Sequence, residues 1–417
     1  MTVAPGAASR PSVEARLRAA GLPPLDRPAW LEIDTTALEQ AVRVIRERVG
    51  AATQVWPVVK DDAYGHGVEV ATRSFMAAGA AGVCVATLGE ATAIRAAGIG
   101  APVLILYPVA DAALPDALRA GFAISVSTSE GASAVAQAWS GLGAPTGTGH
   151  LVVHVEVETG FTRMGIPVER LPAALDALGR PGIEVVALWS HLSTPEDDRV
   201  SSDQEARLAD AVRRSGTPGI GSHIAATGGL LTGRGTGAAL VRPGLIAYGV
   251  APGVHLGNAD AGRWLRDSVR PALRLLARPI RIEQVATGTT VGYGGTWAAS
   301  RPSRIATLPV GYGDGYSRAF SGSDVLVRGR RVPVVGVVAM DSCAVDVTDV
   351  PDVGPDDEFV LLGHQGRDAI PALALAQRRN TIPWEVLAGM ARRLTRVYDA
   401  PAGPMGVRTL AGEFMVG

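Results

Sequence analysis

One residue type is nearly missing from this chain, and its single representative stands where chemistry could be done. Of 39 basic residues, 38 are arginine and one, Lys60, is lysine. An average chain of this length would carry on the order of twenty lysines. A bias toward arginine explains the absent lysines but not the survivor. Arginine keeps its proton and cannot condense with a carbonyl, whereas a lysine amine can form an imine or act as nucleophile or base. Lys60 ends the apolar run 55–60 and is followed by Asp61-Asp62-Ala63-Tyr64-Gly65-His66-Gly67.

The elements that would position such an amine form a regular series. Eight apolar runs, 55–60, 82–87, 102–107, 123–127, 151–158, 184–191, 223–227 and 239–249, alternate with helical patterns at 68–78, 88–97, 129–140, 167–178 and 202–214. Repeated βα units on this scale predict an α/β chain with an N-terminal TIM (β/α)8 barrel, whose active site lies on the loops at the carboxyl ends of the strands. Beyond about residue 266 the rhythm changes to strands joined by hairpin-like turns, 278–285, 303–310, 325–327, 331–340, 344–347 and 358–362, with helices near 370–378 and 384–393. The expected domains are an accessory tail over 1–28 with a short amphipathic stretch at 13–20, a barrel over 29–265, and a mostly antiparallel β domain over 266–417. The strand-like segment 30–33 can be assigned to either domain.

Composition limits the partners. A 417-residue chain with 47% hydrophobic and 19% charged residues can bury a large core, and its net charge of −1 leaves no basic footprint for nucleic acid or anionic membrane. A small-molecule substrate is expected. There is no signal-peptide pattern and no membrane-length apolar run, so a cytoplasmic location is expected. Cys84 and Cys343 lack disulfide or metal spacing, and the seven histidines form no ligand cluster, so no metal is expected.

The Lys60–Gly67 stretch resembles the motif of the alanine racemase family, a strand and Val-Lys followed by Ala-Tyr-Gly-His-Gly, and the resemblance runs from about Trp30 to Tyr398. It implies that Lys60 carries pyridoxal 5′-phosphate (PLP) as a Schiff base in an amino-acid racemase, alanine first, serving D-amino acid biosynthesis. Thr159-Gly160-Phe161-Thr162-Arg163-Met164-Gly165 is similar to the family's Thr-Gly-Met-x-Arg-x-Gly. That likeness implies that Arg163 meets the cofactor's phenolic oxygen and the substrate carboxylate. His191 corresponds to a histidine beneath the cofactor ring, although a core histidine would look the same. Tyr64, Thr227 and the N–H groups of Gly244 and Leu245 would bind phosphate. Arg242 would face the pyridine nitrogen, where it can only donate, and His223 would brace it. Val291-Gly292-Tyr293-Gly294-Gly295-Thr296-Trp297 resembles the segment holding a second catalytic tyrosine. The likeness implies a homodimer in which Tyr293 reaches the partner's site and opposes Lys60 in a two-base reaction. Tyr312, Met340 and Asp341 correspond to residues lining access and the substrate carboxylate site.

The chain departs from the family at three places. The family commonly has a carbamylated lysine seven residues before the arginine matched by Arg163, and this chain has Glu156. A glutamate can present a carboxylate without CO2, although a plain strand glutamate would read the same. Asn-Ser after the seventh strand becomes Ala226-Thr227. A family tyrosine that touches phosphate becomes Arg392, which would bind phosphate or meet an acidic substrate side chain. A racemase of serine or of a larger or acidic amino acid therefore stays open. A PLP-dependent decarboxylase and a non-catalytic PLP-binding protein are more distant alternatives.

Overall fold

The computed structural model describes residues 10–142, 150–253 and 260–416. The first nine residues of the expected tail lie outside them. The chain divides into two compact units, residues 37–271 and the pair of segments 1–36 and 272–417.

In the first unit, parallel strands Val83–Val85, Val103–Ile105, Ala123–Val126, Leu151–Glu156, Ile183–Trp189 and Gly221–His223 are paired in chain order, and Gln54–Val55 pairs with Leu240–Val241. Two short seams close the ring. Val58 bridges Cys84, and the Ala239 and Arg242 N–H groups donate to the carbonyls of Ser222 and Ala225. The result is an eight-stranded parallel barrel. Its strands read as apolar runs because both faces are covered, and Val83, Leu104, Val153 and Leu188 are fully buried. Helices Val68–Ala77, Leu88–Ala96, Ser129–Gly141, Leu171–Leu178 and Asp198–Arg214 follow the first, second, fourth, fifth and sixth strands, three of them capped by the side chains of Thr87, Thr128 and Asp197.

The strands are shorter than the apolar runs suggest. The sixth stops at Trp189, two residues before His191, and the seventh at His223, so that Thr227 opens the helix Thr227–Thr232. Lys60 lies beyond its strand, at the start of a turn. In each case the strand gives way where the backbone leaves the ladder to shape a loop.

The second unit is built on a twelve-stranded sheet. Ala29–Asp34 runs antiparallel to Leu273–Ala277 and parallel to Thr395–Ala400, which ties the N-terminal strand to this unit rather than to the barrel. Helix Val13–Ala19 belongs here too. It buries Val13 and Leu17, and Arg16 bonds Glu32 at 2.7 Å and Asp399 at 3.1 Å. Residues 13–28 are thus folded against the sheet. The strand expected over 331–340 stops at Val335 because Gly336, at φ 67°, turns the chain. A Cβ there would lie 2.4 Å from the Val291 carbonyl oxygen.

Candidate active site

Lys60 begins a turn that L-residues rarely adopt. Asp61, Asp62, Ala63 and Tyr64 are all left-handed, with φ of 52°, 57°, 54° and 50°. Each costs about 1–2 kcal/mol in this region, so surrounding bonds must hold them. Asp61 N–H donates to Glu90 at 2.8 Å, Val68 N–H to Asp62 at 3.0 Å, and the carbonyls of Ala63 and Tyr64 both face His66 Nδ1 at 3.0 Å. Behind the turn, Tyr248 packs against Tyr64 and His66, with ring centroids 5.1 and 4.5 Å away, and donates its hydroxyl to the Val58 carbonyl. The lysine therefore stands on a stiff support.

Across the barrel strands runs a buried polar chain. The Arg242 guanidinium is 2% exposed; it donates to His223 Nδ1 and, at 2.8 Å, to the Ser190 carbonyl, and its centre lies 4.6 Å from the Trp189 ring. His223 Nε2 and His154 Nδ1 are 2.9 Å apart. An arginine can only donate, so His223 Nδ1 must accept, its proton must sit on Nε2, and that N–H donates to His154. Both imidazoles are neutral. Burial and the Arg242 charge push His154 down to about 3 and His223 well below its usual value. Burial also lowers Arg242 to about 10, opposed by Cys84 and Glu156, so it stays charged at neutral pH. His191 is likewise held near 3 by burial and by the charges of Arg242, Arg163 and Lys60. Arg242, Arg163 and Lys60 thus all lie close enough to His191 for their charges to bear on it.

Two further groups complete the barrel site. Thr227 Oγ1 accepts from the N–H groups of Gly244 at 3.1 Å and Ile246 at 3.3 Å, and a Cβ on Gly244 would approach Tyr64 Oη to 3.0 Å. Glycine at 244 lets the tyrosine hydroxyl and these N–H groups crowd together without either being displaced. Glu156, 4% exposed, accepts from Ser127 at 2.6 Å, and its other oxygen is 4.0 Å from Arg163. Burial raises its carboxyl, with Ser127, Arg163 and Arg242 opposing.

The second unit gathers Tyr293, Tyr312 and Met340, which are 70%, 42% and 52% exposed. The loops bearing Tyr312 and Met340 are laced together, because the N–H groups of Tyr312 and Gly313 donate to the carbonyls of Ala339 and Met340. Asp314, fully buried, accepts from Arg27, from Arg393 Nε at 2.7 Å and from the Gly311 N–H at 2.9 Å. Arg393 also bonds Asp341 at 2.8 Å. Asp341 is thus tied to an arginine of its own unit. Arg392 is exposed, and its neighbour Arg393 makes the contacts with the loops.

Sequence reasoning missed His154, Trp189, Ser127, Tyr107 and Phe161 in the barrel, and Arg27, Asp314 and Arg393 in the second unit. Apart from the Gly-Asp-Gly turn around Asp314, their types and spacing carry no signal.

The alanine racemase N-terminal domain family model matches residues 33–252, and the C-terminal domain model matches residues 272–398. An alanine racemase of Syntrophobacter fumaroxidans is 37% identical over 371 residues, covering 87% of this chain and 96% of the relative. One from Nostoc is 33% identical over 377 residues, covering 88% and 95%. Among solved structures, the Bacillus anthracis alanine racemase with bound L-Ala-P has a TM-score of 0.84 at 28% identity, covering 93% of this chain and 99% of that one. The Streptomyces coelicolor alanine racemase has a TM-score of 0.81 at 32% identity, covering 89% and 98%.

Proposed function

This chain belongs to the alanine racemase family, and on that premise we propose that it interconverts L- and D-alanine with PLP held on Lys60, using Lys60 and the partner subunit's Tyr293 as the two bases. The observation that carries this reading is the isolated lysine on its braced left-handed turn, with its charge bearing on His191 together with those of Arg163 and Arg242. The residues present fit the cofactor. An amine is available for an imine, the Gly244 cradle would bring a Cβ within 3.0 Å of Tyr64 Oη, and a buried arginine offers a donor that cannot accept. When bound, PLP supplies the electron sink that makes a substrate's α-proton removable.

The chain's own groups do the remainder. Tyr64, Thr227 and the Gly244 and Leu245 N–H groups would hold the phosphate. Arg242 would donate to the ring nitrogen and keep it unprotonated, which would mute the sink and disfavour side reactions; the neutral His223–His154 pair fixes the direction of its guanidinium. His191 would support the ring. Arg163 receives the substrate carboxylate, with the Glu156 carboxylate behind it. Lys60 Nζ takes or returns the α-proton on one face, and the partner subunit's Tyr293 Oη does so on the other, as racemisation of a planar carbon requires. An exposed Tyr293, with Tyr312 and Met340 also exposed on the same unit, suits side chains that work in a dimer interface and line access to the site together with Asp341. Arg392, exposed on that unit, would meet phosphate or an acidic group.

The test is loss of optical activity from L-alanine, with serine, glutamate and larger amino acids run beside it. Lys60→Ala and Lys60→Arg should abolish both turnover and the visible band of lysine-bound cofactor. Retention of both would overturn the reading, and rapid turnover of another amino acid with none of alanine would replace the substrate.

A further inference from the structure

Arg163 lacks the ion-pair geometry that its role would lead one to expect. Its nearest carboxylate oxygen, on Glu156, is 4.0 Å away, and the other oxygen of that group is committed to Ser127 at 2.6 Å. The guanidinium is instead seated on rings. Its centre lies 4.5 Å from the Phe161 centroid and 5.4 Å from that of Tyr107, both inside the roughly 6 Å reach of a cation–π attraction. Tyr107 is set by the strand before it, and Phe161 is held by its own contacts. Tyr107 follows strand Val103–Ile105. Phe161 packs edge-on against His191, centroids 5.4 Å apart at 78°, and the His191 carbonyl is held by Gln204 at 3.0 Å. The loop that carries Phe161 and Arg163 is itself constrained. Glu158 accepts from the Gly160 and Thr162 N–H groups, Thr162 is left-handed at φ 55°, and a Cβ on Gly165 would fall 2.6 Å from the Glu158 nitrogen.

We propose that Tyr107 and Phe161 are positioning residues, two aromatic rings that brace the Arg163 guanidinium in the orientation in which it receives the substrate carboxylate. The inference rests on the reading of Arg163 given above. Glu156 then sets the local charge balance, while the rings set direction. A guanidinium suits this division because its plane stacks on an aromatic face and leaves its edge N–H groups for bidentate recognition of a carboxylate.

The experiment has two readouts. In the cofactor-free protein, the Nε–Hε resonance of Arg163, identified by its loss in Arg163→Lys, should lie upfield from ring shielding and move downfield in Phe161→Leu and Tyr107→Leu. In the loaded enzyme each of those variants should raise KM for L-alanine about two- to fivefold, with kcat changing less, and Phe161→Tyr should recover most of the loss seen in Phe161→Leu. If Phe161→Leu does not fold, Tyr107→Leu carries the same test. A resonance unmoved in both leucine variants, or moved further by Glu156→Gln than by either, overturns the proposal. A resonance that moves as expected while Arg163→Ala leaves KM unchanged would uphold the brace and refute the role of Arg163 at the substrate.

Discussion

The buried pair His154 and His223 makes a quantitative demand on how stability varies with pH. They are 3% and 0% exposed, and both are neutral in the folded chain, His154 pushed down to about 3 and His223 well below its usual value by burial and the Arg242 charge. In an unfolded chain a histidine titrates near 6.5. Across the window between these values the unfolded state binds protons that the folded state refuses, so stability falls as pH falls. One unit below the unfolded pKa, at pH 5.5, the penalty is about 1.4 kcal/mol per histidine, or about 3 kcal/mol for the pair. That is a large part of an ordinary folding free energy of about 5–15 kcal/mol. Replacing His154 by phenylalanine removes one titration and also strands the His223 N–H, a pH-independent cost of about 1–3 kcal/mol. Urea unfolding at pH 7.5, 6.5 and 5.5, followed by tryptophan fluorescence, reads both effects. Trp189, stacked on His223 at 5.9 Å and 11°, is a local reporter. The variant should be less stable at pH 7.5 yet lose about 1.4 kcal/mol less than wild type on going to pH 5.5. Parallel pH dependences, or a His223 imidazole that titrates near 6.5 by NMR, would refute the neutral relay.

Gly244→Ala sets a Cβ 3.0 Å from Tyr64 Oη, and overpacking of about 1–3 kcal/mol should weaken PLP binding roughly 5- to 100-fold in an equilibrium titration. Arg242→Ala takes the donor away from His223 and from the Ser190 carbonyl; unfolding free energy should drop by about 1–3 kcal/mol, even without cofactor. Arg27→Met leaves buried Asp314 with one arginine instead of two. It should cost about 1.5–3 kcal/mol in denaturant unfolding and raise the KM for alanine through the Tyr312 loop, which the partial rescue expected of Arg27→Lys would separate from simple unfolding. Tyr293→Phe should reduce kcat by about 10²–10⁴ while the visible band persists.

The barrel was legible because its strands are apolar on both faces and its helices end in glycine, a pattern that survives without knowledge of contacts. The placement of Lys60, Thr227 and His191 near strand ends followed from the same rhythm, each lying two to five residues past its strand because the loops begin early. The left-handed turn at 61–64 was not legible, because alanine and tyrosine rarely take positive φ and aspartate, which tolerates it better, sits far more often at ordinary φ. Distant bonds to Glu90 and packing by Tyr248 impose it. His154 was hidden in the apolar run Leu151–Glu156, where a lone polar residue reads as ordinary alternation until the barrel brings His223, two strands away, to 2.9 Å. Strand Thr395–Ala400 was missed because Arg396 and Asp399 interrupt its apolar pattern, although Arg396 is buried and caps the carbonyls of Met390, Ala391 and Leu394. Arg393, next to the Arg392 singled out by the resemblance, is the arginine that holds Asp314 and Asp341.

The central claim, a site made of Lys60 from one chain and Tyr293 from its partner, is tested most directly by mixing two inactive variants. Lys60→Ala and Tyr293→Phe proteins, unfolded and refolded together in equal amounts, should yield mixed dimers that carry one intact site each. With random pairing in a twofold dimer, alanine racemisation should return to about a quarter of the wild-type rate. No recovery above the separate variants, with mixed dimers demonstrably formed, would contradict the shared two-base site.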